Sequence, residues 1–309
     1  MYRLFSNKTF IPSFFKKKCH SFSTLINDTI FQLSSGYNNH DNSYQSVGVA
    51  LIRISGPYAI NTLHYLTKNQ SLNKIQPRKV FLSSLYNPKL NKKIDSSVLI
   101  LYFTAPSSYT GEDVIELHVH GNPVIVNELF NVLDDYKYTR RAEAGEFTRR
   151  AFENNKLDLT QIEGLSDLLG AKTAIQKDIA LQAVDGHISA LYIKWRDIIL
   201  TSLAHIEAII DFSEDEIDVE EDIIINTILQ KLINLQKIIK NFLNDGRKGE
   251  LIKQGIYITI LGPANVGKST LLNNIIQRDV ALVSSIAGTT RDAIEASIDL
   301  HNYPVIFTD

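Results

Sequence analysis

The chain has 309 residues, of which 44% are hydrophobic and 21% are charged, and its formal net charge is −2. This length suits two or three globular domains, and the composition excludes fibrous and wholly disordered classes. The single cysteine, Cys19, excludes an intrachain disulfide and a thiolate metal cluster. No long uncharged apolar run is present, so no transmembrane helix and no membrane partner are predicted.

Residues 1–26 differ in composition from the rest of the chain. They are rich in Ser and Phe, and no acidic residue occurs before Asp28. The basic residues of this stretch are Arg3, Lys8, Lys16, Lys17 and Lys18. Basic, hydroxyl-rich and acid-poor segments are typical of mitochondrial targeting peptides, which predicts a location in the mitochondrial matrix. The alternative is a terminus without a targeting role.

Residues 27–155 are predicted to form an α+β domain. Runs rich in β-branched residues predict strands, and apolar residues at helical spacing predict helices. The predicted strands are 47–55, 79–86, 96–103 and 113–120, and the predicted helices are 59–68 and 123–136. The polar, turn-rich stretch 36–45 is predicted to be a loop.

Residues 156–250 are predicted to form a helical domain. From Leu159 to Phe242 the apolar residues follow helical spacing, interrupted by the acidic run 213–222. The acidic run is interpreted as a solvated helix junction, with a metal site as the alternative. The turn-type residues of 244–250, NDGRKGE, are predicted to end the helical segment.

Residues 251–309 contain a phosphate-binding loop. The stretch GPANVGKST fits G-x-x-x-x-G-K-[ST], with an apolar strand-like run, 256–261, before it and a helical pattern, 269–276, after it. The backbone N–H groups of such a loop cradle a β-phosphate, while Lys268 reaches the β- and γ-phosphates and the Ser269 hydroxyl binds Mg²⁺. A chance glycine-rich turn is the alternative.

Two later features complete a nucleotide-switch pattern. The stretch VSSIAGTTRD (283–292) offers Thr290, whose hydroxyl is expected to bind Mg²⁺ when a γ-phosphate is present. Two further strands are predicted at 293–300 and 303–309, joined by a turn at HNYP. Asp309 ends the second of these, which is expected to pair beside the phosphate-loop strand and to hold Mg²⁺ through water. Thr290 and Asp309 are therefore the predicted catalytic residues.

The order of these motifs resembles the MnmE/TrmE family of tRNA modification GTPases. The resemblance is carried by GPANVGKST followed by IAGTTRD, and by upstream segments that other translational GTPases lack. Those segments are DTIFQLSSG, VALIRISGP, TAPSSYTGEDVIELHVHGNPVIV, AGEFTRRAFENNKLDLTQIEGLSDLLGAKT and AIIDFSEDEID. They occur in the family's order from about Asp28 to Asp309.

The resemblance implies a multidomain fold and a specific activity. An α+β N-terminal domain would bind folate and form a homodimer, and a Ras-like α/β P-loop GTPase domain would be inserted into an α-helical domain. The family adds an aminomethyl-type group to C5 of the wobble uridine, U34, here of mitochondrial tRNA. It uses GTP, Mg²⁺, K⁺ and 5-formyl-tetrahydrofolate, together with an MnmG-type FAD-dependent partner.

The resemblance also implies roles for individual residues. Arg53, Glu116 and Lys156 match the folate-contacting residues; a carboxylate suits the donor edge of a pterin, and cations suit the folate glutamate tail. The implied GTP-binding residues are Asn265, Val266, Gly267, Lys268, Ser269, Thr270, Ser284, Ser285, Ile286, Ala287, Gly288, Thr289 and Thr290. The implied Mg²⁺ ligands are Ser269 and Thr290, and the implied K⁺ shell is Asn265, Ser284, Ile286 and Thr289.

Alternatives remain open at three places. Arg53 can form a structural ion pair, with Glu116 a surface residue of its strand. Glu116, His118 and His120 share one strand face, where a metal ion is conceivable. The cluster Arg140, Arg141, Arg149 and Arg150 can contact tRNA phosphates, or it can form a solvated rim with neighbouring acids.

The N-K-x-D motif, the remainder of the D-x-x-G switch and a second half of the helical domain are absent from the 309 residues. The sequence is therefore expected to represent an incomplete GTPase that binds guanine nucleotide weakly or not at all and hydrolyses none. The alternatives are a P-loop GTPase of ribosome assembly and a non-enzymatic folate-binding dimerisation module.

Overall fold

A computed structural model describes most of the chain in two compact units. The described residues are 28–35, 46–68, 75–212, 218–263, 266–267, 270–271, 274, 295–300 and 303–308. The units are Met1–Lys156 and Leu157–Asp309. No described helix is long and apolar enough to cross a membrane. The predicted targeting segment 1–26 and the predicted loop 36–45 lie outside the described residues.

The first unit is built on a six-stranded sheet of order β3-β4-β5-β2-β1-β6. Its pairs are antiparallel except for β1 and β6, which run parallel. The strands are β1 (Thr29–Leu33), β2 (Val49–Ser55), β3 (Phe81–Asn87), β4 (Lys92–Phe103), β5 (Val114–His120) and β6 (Thr139–Arg141). The four predicted strands are β2 to β5, while β1 and β6 were not predicted.

Alternation along the strands gives this sheet two different faces. Three helices accompany it: α1 (Ala59–Thr67), α2 (Pro123–Asp134) and α3 (Glu146–Glu153). One sheet face joins α1 and α2 in the core, which includes Ile52, Ile54, Leu63, Ile115, Leu117, Leu129 and Phe130. Because side chains alternate along a strand, the intervening residues lie on the opposite face. That face carries Arg53, Glu116 and His118, and several exposed apolar side chains: Val49, Leu82 and Leu99.

The second unit begins with four helices. They are α4 (Leu159–Gly170), α5 (Ala174–Val184), α6 (His187–Phe212) and α7 (Asp218–Gln254). Capping boxes start the first two: Asp158 with Gln161 in α4, and Thr173 with Gln176 in α5. Each cap satisfies backbone N–H groups that have no partner inside the helix. The helical domain predicted from apolar spacing is therefore present, and α7 begins within the acidic run 213–222.

The prediction that residues 244–250 end the helical segment was wrong. Helix α7 continues to Gln254. It ends where Gly255 adopts φ 86° and its N–H donates to the carbonyl of Leu251 at 2.9 Å. A glycine inside a helix costs only about 1 kcal/mol, so turn-type residues alone do not stop a long helix. A left-handed residue after the last turn does stop it, and glycine adopts that conformation freely.

A three-stranded sheet of order β7-β9-β8 follows α7. The strands are β7 (Ile256–Thr259), β8 (Glu295–Leu300) and β9 (Tyr303–Thr308). Strands β7 and β9 are parallel, with Ile256 opposite Val305 and Thr259 opposite Thr308, and β8 pairs antiparallel with β9. The expected pairing beside the phosphate-loop strand is thus confirmed. The predicted turn at HNYP includes residues 301–302, which lie outside the described part.

Candidate functional site

Arg53 and Glu116 form an ion pair across two central strands. They are directly opposite each other in the antiparallel pair of β2 and β5. The Nε and Nη2 groups of Arg53 donate to Oε1 of Glu116 at 3.0 and 2.8 Å. The two side chains are 21% and 17% exposed, so the pair is partly desolvated but still reachable. Two of the three predicted folate-contacting residues are therefore in contact with each other.

Two aromatic rings border the guanidinium of Arg53. The Arg53 Cζ lies 5.0 Å from the ring centre of Tyr109 and 5.7 Å from that of Phe147. These distances are within the range of cation–π attraction. The Tyr109 hydroxyl pairs with Thr148 Oγ1 at 2.9 Å, which ties the ring to α3.

The segment 104–113, which carries Tyr109, is anchored by buried polar groups. Ser55 Oγ lies 2.7 Å from both Thr110 Oγ1 and Glu112 Oε2. Arg150 Nη1 donates to both carboxylate oxygens of Glu112 at 3.0 and 3.1 Å and to the carbonyl of Asp28 at 2.8 Å. These bonds connect the segment to β2 and α3, so they fix the position of Tyr109.

Lys156 borders the same segment. Gly111 has φ 79°, and a Cβ at this position would lie 3.3 Å from Lys156 Cγ and 2.8 Å from Asn154 Cβ. The alkyl chain of Lys156 therefore packs beside Gly111, while the residue as a whole is exposed. The structure places Arg53 and Lys156 against the same segment, 104–113, through Tyr109 and Gly111.

The arginine cluster is paired with acids. Arg140 binds Glu146 at 2.6 Å and Asp28 at 3.2 Å, and Arg141 binds Asp134 at 2.7 Å. The other ion pairs of the cluster are Arg149 with Glu143 and Glu146, and Arg150 with Glu112 and Glu146. These pairs give no support to a tRNA-phosphate contact. The solvated-rim interpretation also fails for Arg150 and Glu146, which are only 5% and 2% exposed.

The pairing changes the acidity of Glu146. Burial by itself raises the pKa of this carboxyl, but hydrogen bonds from Arg140 and from the Glu143 N–H outweigh it. Together with the nearby charge of Arg150 they bring the pKa to about 2. Glu146 is therefore an ionised, buried centre of the network and not a candidate proton donor at neutral pH.

The two histidines of β5 have different surroundings. His120 Nδ1 lies 2.9 Å from Asp95 Oδ1, and Glu116 is engaged by Arg53. His118 Nε2 is enclosed and has no hydrogen-bond partner among the described residues. Within the described part of the chain, no group of three or more His, Cys, Asp or Glu side chains is arranged to hold a metal ion.

The nucleotide loop is described only in part. Gly267 has φ 96°, a conformation that favours glycine, and the N–H of Leu271 donates to its carbonyl at 2.9 Å. Thr270 and Leu271 are helical, in keeping with the helix predicted after the loop. Val266 and Thr270 are also described. The remaining predicted residues lie outside the described part: Asn265, Lys268, Ser269, Ser284, Ser285, Ile286, Ala287, Gly288, Thr289, Thr290 and Asp309.

Comparison with known proteins gives matches to both units. The family described as GTP-binding protein TrmE N-terminus matches residues 38–156, and the MnmE helical domain matches residues 159–305. A relative from Dictyostelium discoideum, named tRNA modification GTPase gtpbp3, mitochondrial, is 44% identical over 290 residues. That alignment covers 93% of this chain and 54% of the relative.

The chain belongs to the MnmE/TrmE family of tRNA modification GTPases. MnmE of Rickettsia rickettsii is 43% identical over 91% of this chain and 60% of its own length. A Danio rerio protein named 5-taurinomethyluridine-[tRNA] synthase subunit GTPB3, mitochondrial, is 42% identical over 91% of this chain and 54% of its own length. The chain thus spans 54% to 60% of the length of these relatives.

The two family matches confirm the predicted multidomain fold class. The match to the helical domain covers residues 159–305, which include the four helices α4 to α7. Sequence reasoning did not identify Tyr109 and Phe147 as neighbours of Arg53. Both lie within the family-like stretches TAPSSYTGED and GEFTRRAF, but only the fold brings them together.

Proposed function

We propose that this chain contributes to a GTP-hydrolysing enzyme that modifies tRNA. The observation that carries the proposal is the match of two successive family domains together with 42% to 44% identity to proteins named tRNA modification GTPases or a tRNA-modifying synthase subunit. The reaction is the addition of an aminomethyl-type group to C5 of the wobble uridine, U34. The enzyme acts in the mitochondrial matrix, in keeping with the acid-poor segment 1–26 and the mitochondrial names of two relatives.

The first unit is proposed to bind the one-carbon donor, 5-formyl-tetrahydrofolate. Both hydrogen bonds of the Arg53 pair use Oε1 of Glu116, which leaves Oε2 outside the pair. A carboxylate oxygen accepts hydrogen bonds from the amino and ring N–H groups of a pterin. Lys156 is an exposed residue, and its positive charge suits the glutamate carboxylates of the folate tail. The MnmG-type partner supplies the FAD-dependent chemistry.

A homodimer through the first unit is part of the proposal. The sheet face opposite α1 and α2 carries Val49, Leu82 and Leu99, which are 58%, 56% and 44% exposed. Exposed apolar residues that share a face are typical of an interaction surface. The ion pair of Arg53 and Glu116 lies on the same face, so a second copy would border the folate site.

The second unit is proposed to bind GTP with Mg²⁺ and K⁺. Lys268 would contact the β- and γ-phosphates, and Ser269, Thr290 and Asp309 would hold Mg²⁺ directly or through water. Asn265, Ser284, Ile286 and Thr289 would surround K⁺. The cation would offset charge that develops between the phosphates during hydrolysis.

Folate titration of the 309-residue chain tests the proposed site. Arg53→Ala and Glu116→Ala are each expected to weaken binding of 5-formyl-tetrahydrofolate by about 1–3 kcal/mol, the cost of an unpaired charged hydrogen bond. Lys89→Ala, which breaks an exposed ion pair with Asp135, serves as the control and leaves the affinity unchanged. Equal affinities in all three variants and the unmodified chain would remove Arg53 and Glu116 from the site.

A further inference from the structure

We propose that Tyr109 and Phe147 are positioning residues of the folate site, which hold the Arg53 guanidinium so that it presents the Glu116 carboxylate to the ligand. This inference rests on the proposed folate function. The two rings act on folate binding only through Arg53, and they take no direct part in the chemistry. The observation behind it is the convergence of both rings on one guanidinium, at 5.0 and 5.7 Å.

The guanidinium needs positioning because of how it binds Glu116. Its Nε and Nη2 groups both donate to the same oxygen, Oε1, and leave Oε2 outside the pair. Rotation of either side chain would change the direction in which Oε2 points. The Arg53 side chain is 21% exposed, and arginine has many rotamers, so an unrestrained guanidinium would sample other positions. Attraction to the aromatic faces limits that freedom.

The two rings come from elements that are themselves fixed. Tyr109 lies in the segment 104–113, and its hydroxyl pairs with Thr148 of α3. The same segment is attached to α3 by Asn154, whose Nδ2 donates to the carbonyl of Thr110 at 2.7 Å. Phe147 belongs to α3 and is partly buried. The positions of both rings therefore depend on α3. Through these rings, α3 is connected to the strand pair that carries Arg53 and Glu116.

The test is a double-mutant comparison in 5-formyl-tetrahydrofolate titrations of the 309-residue chain. Phe147→Leu and Tyr109→Leu remove an aromatic face but keep apolar volume. Each is expected to lower the affinity about 3- to 30-fold, the range of a partly desolvated cation–π contact. Phe147→Tyr, which keeps an aromatic face, is expected to retain most of the affinity. Phe152→Leu is the matched control, because Phe152 lies on the same helix and is 40% exposed; it is expected to change nothing.

Coupling to Arg53 separates positioning from a structural role. In an Arg53→Ala background, Phe147→Leu and Tyr109→Leu are expected to cause no further loss of affinity. A further loss of the same size as in the unmodified background would overturn the inference, because the rings would then act without Arg53. Unchanged affinity in the single variants would also overturn it, while leaving the folate function intact. Absence of binding by the unmodified chain would reject the folate function and this inference together.

Discussion

Gly164 of α4 lies directly against Ala183 of α5, with no space for a side chain between the helices. A Cβ at Gly164 would lie 2.6 Å from Ala183 Cβ and 2.9 Å from the backbone nitrogen of Val184. Backbone atoms cannot rotate away from such a contact, so a methyl group here must push the helices apart. The close crossing of α4 and α5 therefore depends on this glycine.

Gly164→Ala is expected to destabilise the second unit. Insertion of a methyl group into a tightly packed contact costs about 1–3 kcal/mol, and this exceeds the gain in helix propensity. Gly170→Ala is the control, because Gly170 ends the same helix and a Cβ there meets nothing within 4 Å. Denaturant unfolding of both variants measures the difference. Equal stability of the two variants would contradict the close crossing.

Glu146 is expected to make the first unit sensitive to acid. Its pKa is lowered from 4.5 to about 2 in the folded chain. A depressed carboxyl pKa stabilises the fold above its unfolded value and loses that contribution as the pH falls from about 4.5 toward about 2. The shift corresponds to a contribution of about 3 kcal/mol at neutral pH.

Glu146→Gln tests this linkage. At pH 7 the variant is expected to lose about 3 kcal/mol of unfolding free energy, because Arg140 and Arg150 lose their shared carboxylate. The loss is expected to shrink as the pH falls from about 4.5 toward about 2, because the Glu146 carboxyl is protonated first in the unfolded chain and only near pH 2 in the folded chain. Glu143→Gln, at a side chain that is 74% exposed, is the control and stays within about 0.5 kcal/mol of the unmodified chain. A pH-independent loss in Glu146→Gln would refute the assignment.

Segments with a clear hydrophobic period were predictable from the sequence. Very short strands and contacts between residues far apart in the chain were not. Strand β5 alternates buried and less buried residues, so its period of two is enough to predict that Glu116 and His118 share one face. Strand β6 has only three residues, Thr139–Arg141, and is held by parallel pairing with β1. Such a segment is too short to show a period, and its structure depends on a partner far away in the chain.

The polar network around α3 illustrates the same limit for the site. Arg150 binds Glu112 across 38 positions of sequence, and Asp28 across 122. Residue types alone left two interpretations of the arginine cluster open, a contact with tRNA phosphates and a solvated rim. The fold instead buries Arg150 and supplies it with the carboxylates of Glu112 and Glu146 and the backbone carbonyl of Asp28. Family resemblance identified Arg53 and Glu116, but their neighbours Tyr109 and Phe147 required the fold.

Residues 1–26 are expected to direct import into mitochondria. A fluorescent reporter joined to residues 1–40 is expected to colocalise with a matrix marker, because basic, acid-free segments are typical of targeting peptides. A matched reporter in which Lys16, Lys17 and Lys18 are replaced by Glu is expected to stay in the cytosol. Cytosolic location of the first reporter would reject the targeting role.

Arg150 is expected to hold the segment 104–113 in place, and its loss is expected to affect both stability and folate binding. Arg150→Met keeps much of the side-chain length but leaves Glu112 without its cation and Glu146 with one fewer. Removal of one partner from a buried ion pair costs about 3–5 kcal/mol, because a carboxylate is left without compensation. Folate affinity is expected to fall as well, since Tyr109 lies in the released segment.

Arg149→Met is the matched control. Arg149 is the preceding residue on α3, its side chain is 47% exposed, and its ion pairs are longer, at 3.6 Å. Exposed pairs of this kind contribute at most about 1 kcal/mol. Denaturant unfolding, together with limited proteolysis near residue 109, distinguishes the two variants. If Arg149→Met and Arg150→Met lose the same stability and show the same cleavage, the segment is held by something other than the buried arginine.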